Sequence, residues 1–103
     1  MILCYITCKD RKEAKHIAGI LMGEKLIACA NIFPIDSLYF WKGKLCDDAE
    51  TVLLAKTQDK HWVKLKGRVE QLHSYEVPCI IKLQADANEA FASWIEDETS
   101  DRN

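Results

Sequence analysis

Residues 28–57 read ACANIFPIDSLYFWKGKLCDDAETVLLAKT, which predicts one long β-hairpin with arms at 28–41 and 44–57 around the turn Lys42-Gly43. At about 3.3 Å per residue each arm extends about 45 Å, whereas a compact domain of this length is about 34 Å across. The tip should therefore project beyond its own domain. It carries apolar side chains that are unfavourable in water, namely Leu38, Tyr39, Phe40, Trp41 and Leu45. We expect another subunit to cover this tip, with Leu38, Tyr39, Phe40 and Trp41 at the interface.

Length and composition predict a single globular domain over residues 1–103. The chain has 103 residues, of which 49% are hydrophobic and 29% charged, and a chain of this size supports one modest core. Its net charge of -2 comes from intermixed signs, so nucleic acid is not an expected partner. The apolar run Met1 to Cys8 has no preceding positive charge and does not resemble a signal peptide. No segment is long enough to cross a membrane, and we expect a cytoplasmic protein.

The chain contains five cysteines, an odd number without an export signal. Structural disulfides are therefore not expected. No Cys-x-x-Cys or His-x-x-x-His pair is present, and Cys4 and Cys8, four residues apart on one strand, are separated by about 13 Å. Those two cannot hold one ion together. For four of the five cysteines, we expect the role of a small buried hydrophobic residue.

The remaining segments alternate between strand and helix patterns. Ile2 to Cys8 is typical of a strand, Asp10 is placed to cap a first helix, and Asp59 to cap a second. Val77 to Leu83 is typical of a final strand, and Asn88 can cap a short terminal helix. The order β-α-β-β-α-β plus a helix matches the ferredoxin-like arrangement, an α+β fold with a long hairpin between its second and third strands.

This topology places both main helices on one face of the sheet. The opposite face would be open, and its strands carry enough apolar residues on both sides to need a partner. Pro34 cannot donate a hydrogen bond to a neighbouring strand, so the first hairpin arm must bend, bulge or lie at a sheet edge there. We expect subunits that interlock through the hairpins.

Four ordered blocks of the sequence resemble the CutA family of divalent-cation tolerance proteins. They are Ala28 to Ile32, Ser37 to Lys44, Leu54 to Thr57 and Leu72 to Pro78, and the match runs from Met1 to about Thr99. The resemblance implies a cytoplasmic homotrimer of ferredoxin-like subunits with a link to copper and other divalent metals. It implies no known enzymatic activity.

Two positions depart from the family pattern His-Pro-Tyr-Glu-Val-Pro-Glu. Ser74 stands in place of the first proline and Cys79 in place of the final glutamate. The loop before the last strand should therefore be less rigid. At position 79 a soft ligand replaces a hard one, which would favour copper or zinc in any site that included it.

Matching the family motif residue by residue implies the candidate site residues. Cys29 and His73 supply a thiolate and an imidazole, which suit copper or another divalent metal. Trp41, Tyr75 and Glu76 are the candidates for a binding cleft between subunits. The alternative is structural: Cys29 packs in its strand, and His73 interacts with the end of the second helix.

Catalysis has little support in the sequence. An acylphosphatase-like activity would need an arginine cradle for phosphate, and the only arginines are Arg11, Arg68 and Arg102. A regulatory trimer of the nitrogen-regulator type, with a small ligand between subunits, shares the topology and remains the alternative. We therefore predict a homotrimer that binds a metal ion or a small ligand and is not an enzyme.

Overall fold

A four-stranded antiparallel sheet forms the centre of the protein, as seen in a computed structural model that describes residues 1–100. Along the chain the elements are β1 (Ile2–Cys8), α1 (Arg11–Gly23), β2 (Cys29–Trp41), β3 (Lys44–Thr57), α2 (Trp62–Leu72), β4 (Ile80–Gln84) and α3 (Glu89–Glu98). A short 3-10 turn, Asp59–His61, precedes α2. The strands lie in the order β2-β3-β1-β4. The predicted ferredoxin-like α+β fold with a terminal helix is confirmed.

Helix α1 begins at the predicted cap. The Asp10 carboxylate accepts a hydrogen bond from the backbone N–H of Glu13 at 2.8 Å. The Glu13 side chain turns back and accepts from the N–H of Lys9 at 3.0 Å. Two of the N–H groups that a helix start leaves without partners are thereby satisfied, which fixes where β1 ends and α1 begins.

The core lies between the sheet and helices α1 and α2. One face of β1 and β3 packs on one side of each helix because side chains alternate along a strand and recur every three or four residues along a helix. The buried residues of the core are Ile2, Cys4, Ile6, Cys8, Ala14, Ile17, Ala18, Leu21, Leu26, Ile27, Leu53, Ala55, Leu65 and Val69. Cys4 and Cys8 occupy the role of small hydrophobic residues that the sequence predicted.

The hairpin forms with the predicted register. Its pairing runs without a break from Cys29 opposite Lys56 to Trp41 opposite Lys44. Lys42 and Gly43 both have positive φ, 49° and 81°, as the tight two-residue hairpin turn with matching twist requires. The molecule measures 47 Å along its long axis and 26 and 21 Å across it, in accord with a hairpin that extends past the domain.

Strand β2 lies at the edge of the sheet. Pro34 sits within it, opposite Thr51. Of the three alternatives for this proline, the structure shows the edge position, where a missing N–H is tolerated because one side of the strand has no neighbour.

The sheet face opposite the helices is open. Phe33, Ile81 and Leu83 on this face are 39%, 46% and 47% exposed. At the hairpin tip Leu38 and Phe40 are 71% and 75% exposed. An exposed patch of large apolar side chains of this kind is typical of interaction surfaces.

Two element boundaries differ from the prediction. Asp59 does not cap α2: its carboxylate accepts hydrogen bonds from Lys82 and Gln84, both at 3.1 Å, and so ties the 3-10 turn to β4. The last strand begins at Ile80, not Val77. The segment before it contains Pro78, which has no backbone N–H to donate to a neighbouring strand. Among residues 1–100, no helix is long and apolar enough to cross a membrane.

Candidate functional site

Three side chains with metal-ligand chemistry meet where β1 ends, α1 begins and α2 ends. They are Cys8, the last residue of β1, Glu13 in the first turn of α1, and His73, directly after α2. Their ligand atoms all lie within 4.8 Å of one another, and both Cys8 and Glu13 are buried. We call this group the thiol cluster.

His73 is held by both of its ring nitrogens. The backbone N–H of Tyr75 donates to Nδ1 at 3.1 Å, so Nδ1 carries no proton. The proton therefore resides on Nε2, which lies 2.7 Å from the carbonyl oxygen of Thr7 and donates to it. In this arrangement the imidazole fastens the residue 73–75 segment to the end of β1.

Glu13 holds the same segment from the helix side. Its Oε1 accepts from the N–H of Lys9 and its Oε2 from the N–H of Ser74, both at 3.0 Å. Burial alone would raise the pKa of Glu13, but the hydrogen bonds from Ser74 and Lys9, together with nearby His73, outweigh it and lower that pKa below its usual value. The carboxylate is therefore charged at neutral pH.

The Cys8 thiol is protonated at neutral pH. Burial and, after it, the negative charges of Glu13, Glu50 and Asp10 together raise its pKa to about 12. A thiol in this environment is unreactive as a nucleophile. A metal ion would have to displace its proton, so that any metal affinity of the cluster must depend on pH.

The donor set of the thiol cluster fits a borderline cation. Sulfur, imidazole nitrogen and carboxylate oxygen are the three ligand types of zinc, and copper shares the first two. Ligand atoms around a tetrahedral zinc ion lie about 3.5 Å apart. The three ligand atoms would need to approach one another by about 1.3 Å at most.

The structure does not bring Cys29 and His73 together within one chain. Cys29 pairs with Lys56, which pairs with Leu3, whereas His73 contacts Thr7, about 13 Å further along β1. Cys29 also lies on the open face of the sheet, because it aligns with Leu3, while Cys8 faces the helices. A metal site containing both Cys29 and His73 stays a prediction that requires a second subunit.

The second notable feature is a groove of about 820 Å³ between the hairpin and the residue 74–79 segment. The predicted cleft residues Trp41, Tyr75 and Glu76 all line it. So do two of the predicted interface residues, Leu38 and Tyr39. The remaining lining residues are Tyr5, Thr7, Ile35, Asp36, Ser37, Glu50, Ser74, Val77 and Cys79.

A buried carboxylate lies at the base of this groove. Glu50 is only 8% exposed, and its Oε2 accepts a hydrogen bond from the Tyr75 hydroxyl at 2.5 Å. Burial, followed by this hydrogen bond and the Glu50 charge, raises the pKa of Tyr75. Further along the hairpin the Tyr39 hydroxyl donates to Asp48, also at 2.5 Å, and this bond raises the pKa of Tyr39 to about 12. Both phenols therefore remain protonated and fixed by carboxylates.

Sequence reasoning missed Cys8, Glu13 and Glu50. A signal for the first two was present, since Glu13 belongs to the cap of α1 and alternation along β1 places Cys8 on the buried face. Nothing local connects them to His73, which lies 66 residues after Thr7. Glu50 sits in a strand whose pattern does not distinguish it from its exposed acidic neighbours.

Comparison with known proteins gives a consistent result. The family model described as CutA1 divalent ion tolerance protein matches residues 2–98. The divalent-cation tolerance protein CutA of Pyrococcus horikoshii is 39% identical over 100 residues, which cover 96% of this chain and 98% of the relative. Its counterpart in Thermus thermophilus is 41% identical over 96 residues, covering 91% and 93%.

Solved structures agree with the sequence comparison. The periplasmic divalent cation tolerance protein CutA from Archaeoglobus fulgidus superposes with a TM-score of 0.94 at 34% identity, covering 97% of this chain and 100% of the other. A PII-like protein CutA from Nostoc sp. PCC 7120, in apo form, gives 0.90 at 29% identity, covering 97% and 98%. The chain belongs to the CutA1 divalent ion tolerance protein family.

Proposed function

We propose that this chain is a single-domain subunit of a cytoplasmic homotrimer that takes part in tolerance to divalent cations by binding copper or another borderline metal ion, without catalysis. Relatives described as divalent-cation tolerance protein CutA support the role. The five free thiols suit a reducing compartment such as the cytoplasm. Nucleic acid and membranes are not among the proposed partners.

The thiol cluster is the observation that carries the proposed metal function. Cys8, Glu13 and His73 provide three converging ligand atoms of the right types. Binding would require Cys8 to lose its proton and one ring nitrogen of His73 to give up its present hydrogen bond. Cys29 stays a proposed ligand of a site shared between subunits, since it lies on the open sheet face where a neighbouring chain would pack.

A zinc titration under reducing conditions tests this proposal. We expect Cys8→Ser to weaken zinc binding to the thiol cluster at least about tenfold and Cys29→Ser, a cysteine outside that cluster, to leave the affinity of the cluster near wild type, so that any loss in Cys29→Ser reports the separate site proposed between subunits. The reverse ranking would move the site to Cys29. Affinity should fall as pH is lowered, because protons compete for the sulfur. Equal zinc affinity of the wild type, Cys8→Ser and Cys29→Ser would mean that the protein takes part in metal tolerance without binding the ion through these thiols.

The proposed trimer rests on the exposed hairpin tip and the open sheet face. Trp41 is 41% exposed at the tip, and Trp94 on α3 is exposed to a similar degree, 43%. We expect Trp41→Asp to dissociate the assembly because it buries an unpaired charge, and Trp94→Asp to leave it intact. Light scattering after gel filtration decides: a monomeric wild type at micromolar concentration would contradict the trimer.

A second candidate function is that of a regulator-like trimer that binds a small ligand. The groove favours it, since Trp41, Tyr75 and Glu76 converge there around a volume typical of small-molecule sites. The Nostoc relative described as PII-like is consistent with this candidate.

A further inference from the structure

The groove has a negative character. Three of its lining residues are acidic, Asp36, Glu50 and Glu76, and none is basic. Glu76 forms a loose ion pair with Lys42 at 3.9 Å, in which both side chains are 73% exposed. None of the ion pairs formed within residues 1–100 reaches Glu50.

Glu50 is the informative acid because it is buried. At 8% exposure its carboxylate has given up most of its hydration, and its hydrogen bond comes from a neutral phenol. Buried carboxylates are normally compensated by a cation or a metal. The arrangement thus leaves a position beside Glu50 where a positive charge would be favourable.

The walls of the groove are aromatic. Trp41, Tyr39, Tyr75 and Tyr5 line it, and the faces of such rings attract cations, most strongly when water is excluded. A volume of about 820 Å³ is far larger than one metal ion needs. A single buried carboxylate also falls short of the three or four ligands of a strong metal site. Aromatic rings around one buried acid match an organic cation better than a metal ion.

Building on the small-ligand function above, we propose that the groove binds a small organic ammonium ion, with Glu50 as its counterion and Trp41 and the tyrosines as its aromatic walls. This site uses none of the three side chains of the thiol cluster. Neutral and anionic molecules of similar size should bind more weakly, since they would bring no positive charge to Glu50.

Calorimetric titration of the assembled protein provides the test, with choline as the probe. The control probe is 3,3-dimethylbutan-1-ol, which has the same shape with carbon in place of the charged nitrogen. We expect the alcohol to bind at least about tenfold more weakly. Equal binding of the two, or no binding of choline at 10 mM in the wild type, would overturn the proposal.

Glu50→Gln removes the charge and keeps an oxygen that can accept from Tyr75. It should weaken choline binding at least about tenfold, whereas Glu70→Gln, the same change at an exposed acid on α2, should not. Unchanged choline binding by Glu50→Gln would refute the role of Glu50. If Glu50→Gln fails to assemble, the comparison of choline with its neutral analogue in the wild type still tests whether the groove prefers a cation.

Titration with ATP separates this inference from the function on which it rests. We expect no ATP binding, because the groove is acidic. ATP binding in the groove without choline binding would overturn the ammonium ligand and keep the small-ligand function. If neither ATP nor choline binds, both the ammonium ligand and the small-ligand function are contradicted. The zinc titration of the thiol cluster is independent of this result.

Discussion

Replacing Glu13 with glutamine should destabilise the protein and change how its stability depends on pH. The carboxylate accepts one backbone hydrogen bond on each oxygen, from Lys9 and from Ser74, both at 3.0 Å. Glutamine has one oxygen, so one of these bonds is lost and its amide NH₂ is placed against a backbone N–H. Hydrogen bonds to a charged group contribute about 1.5–3 kcal/mol each. We expect Glu13→Gln to lower the free energy of unfolding by about 2–3 kcal/mol at pH 7.

Urea denaturation at fixed protein concentration measures this difference. With an m-value of about 1.5 kcal/mol per M, the midpoint should fall by about 1.3–2 M. Because folding lowers the pKa of Glu13, its charge stabilises the protein above the pKa of an unfolded glutamate, about 4.3. That stabilisation is lost as pH falls through the folded pKa. The difference in the free energy of unfolding between variant and wild type should therefore begin to shrink as the pH falls below about 4.3 and be smallest below the lowered folded pKa.

Glu70→Gln is the matched control, since Glu70 lies exposed on α2. It should stay within about 0.5 kcal/mol of wild type at every pH. If the difference in the free energy of unfolding between Glu13→Gln and wild type stayed constant from pH 7 to pH 3.5, the charge of Glu13 would not be the cause of the pH dependence. A midpoint equal to that of the wild type at pH 7 would refute the role of the hydrogen bonds.

Three further predictions concern the thiols, the turn and the assembly. Burial raises the pKa of Cys4 to about 11 and that of Cys8 to about 12, so iodoacetamide at pH 8 should label both thiols only after unfolding. If mass spectrometry showed Cys8 modified as fast as the partly exposed Cys46, this prediction would be wrong. Lys42 adopts φ 49° before Gly43, a left-handed conformation that asparagine adopts at lower cost than lysine. Lys42→Asn should therefore raise the free energy of unfolding by about 0.5 kcal/mol, and a lower melting temperature would contradict this. If the subunits fold as they assemble, the melting temperature should rise with protein concentration, and a constant value from micromolar to millimolar protein would argue against coupled assembly.

The fold was predictable from the sequence because its main signals are local. The turn residues Lys42-Gly43 and two apolar arms next to each other in sequence define the hairpin, and Asp10 defines the start of α1 within one turn of helix. Asp59 was wrongly predicted to cap the second helix, because the carboxylate that suits a helix cap is equally suited to an ion pair with a lysine. Lys82 and Gln84 hold it instead, and both come from a strand that follows much later in the chain.

The candidate sites were less predictable because they depend on distant pairings. Tyr75, Glu76 and Trp41 converge on one groove, a placement the family motif implied without its geometry. Cys29 and His73 are conspicuous as residue types, yet strand register separates them within a chain by position and by sheet face. Cys8, not Cys29, lies beside His73, because Cys8 ends β1 on the face that packs against the helices, whereas Cys29 aligns with Leu3 on the open face near the other end of β1.

The two-residue turn between β2 and β3 has a consequence for the order of folding. Hairpins joined so closely form in about 1–10 μs, whereas β1 and β4 pair only after residues 9–79 are arranged between them. The apolar tip of the early hairpin is then exposed to solvent before another subunit can cover it, and such exposure favours aggregation. Asp36, Asp47 and Asp48 flank that tip and can act as gatekeepers. In pulsed hydrogen exchange, hairpin amides should gain protection before those of β4, and simultaneous protection would speak against this order.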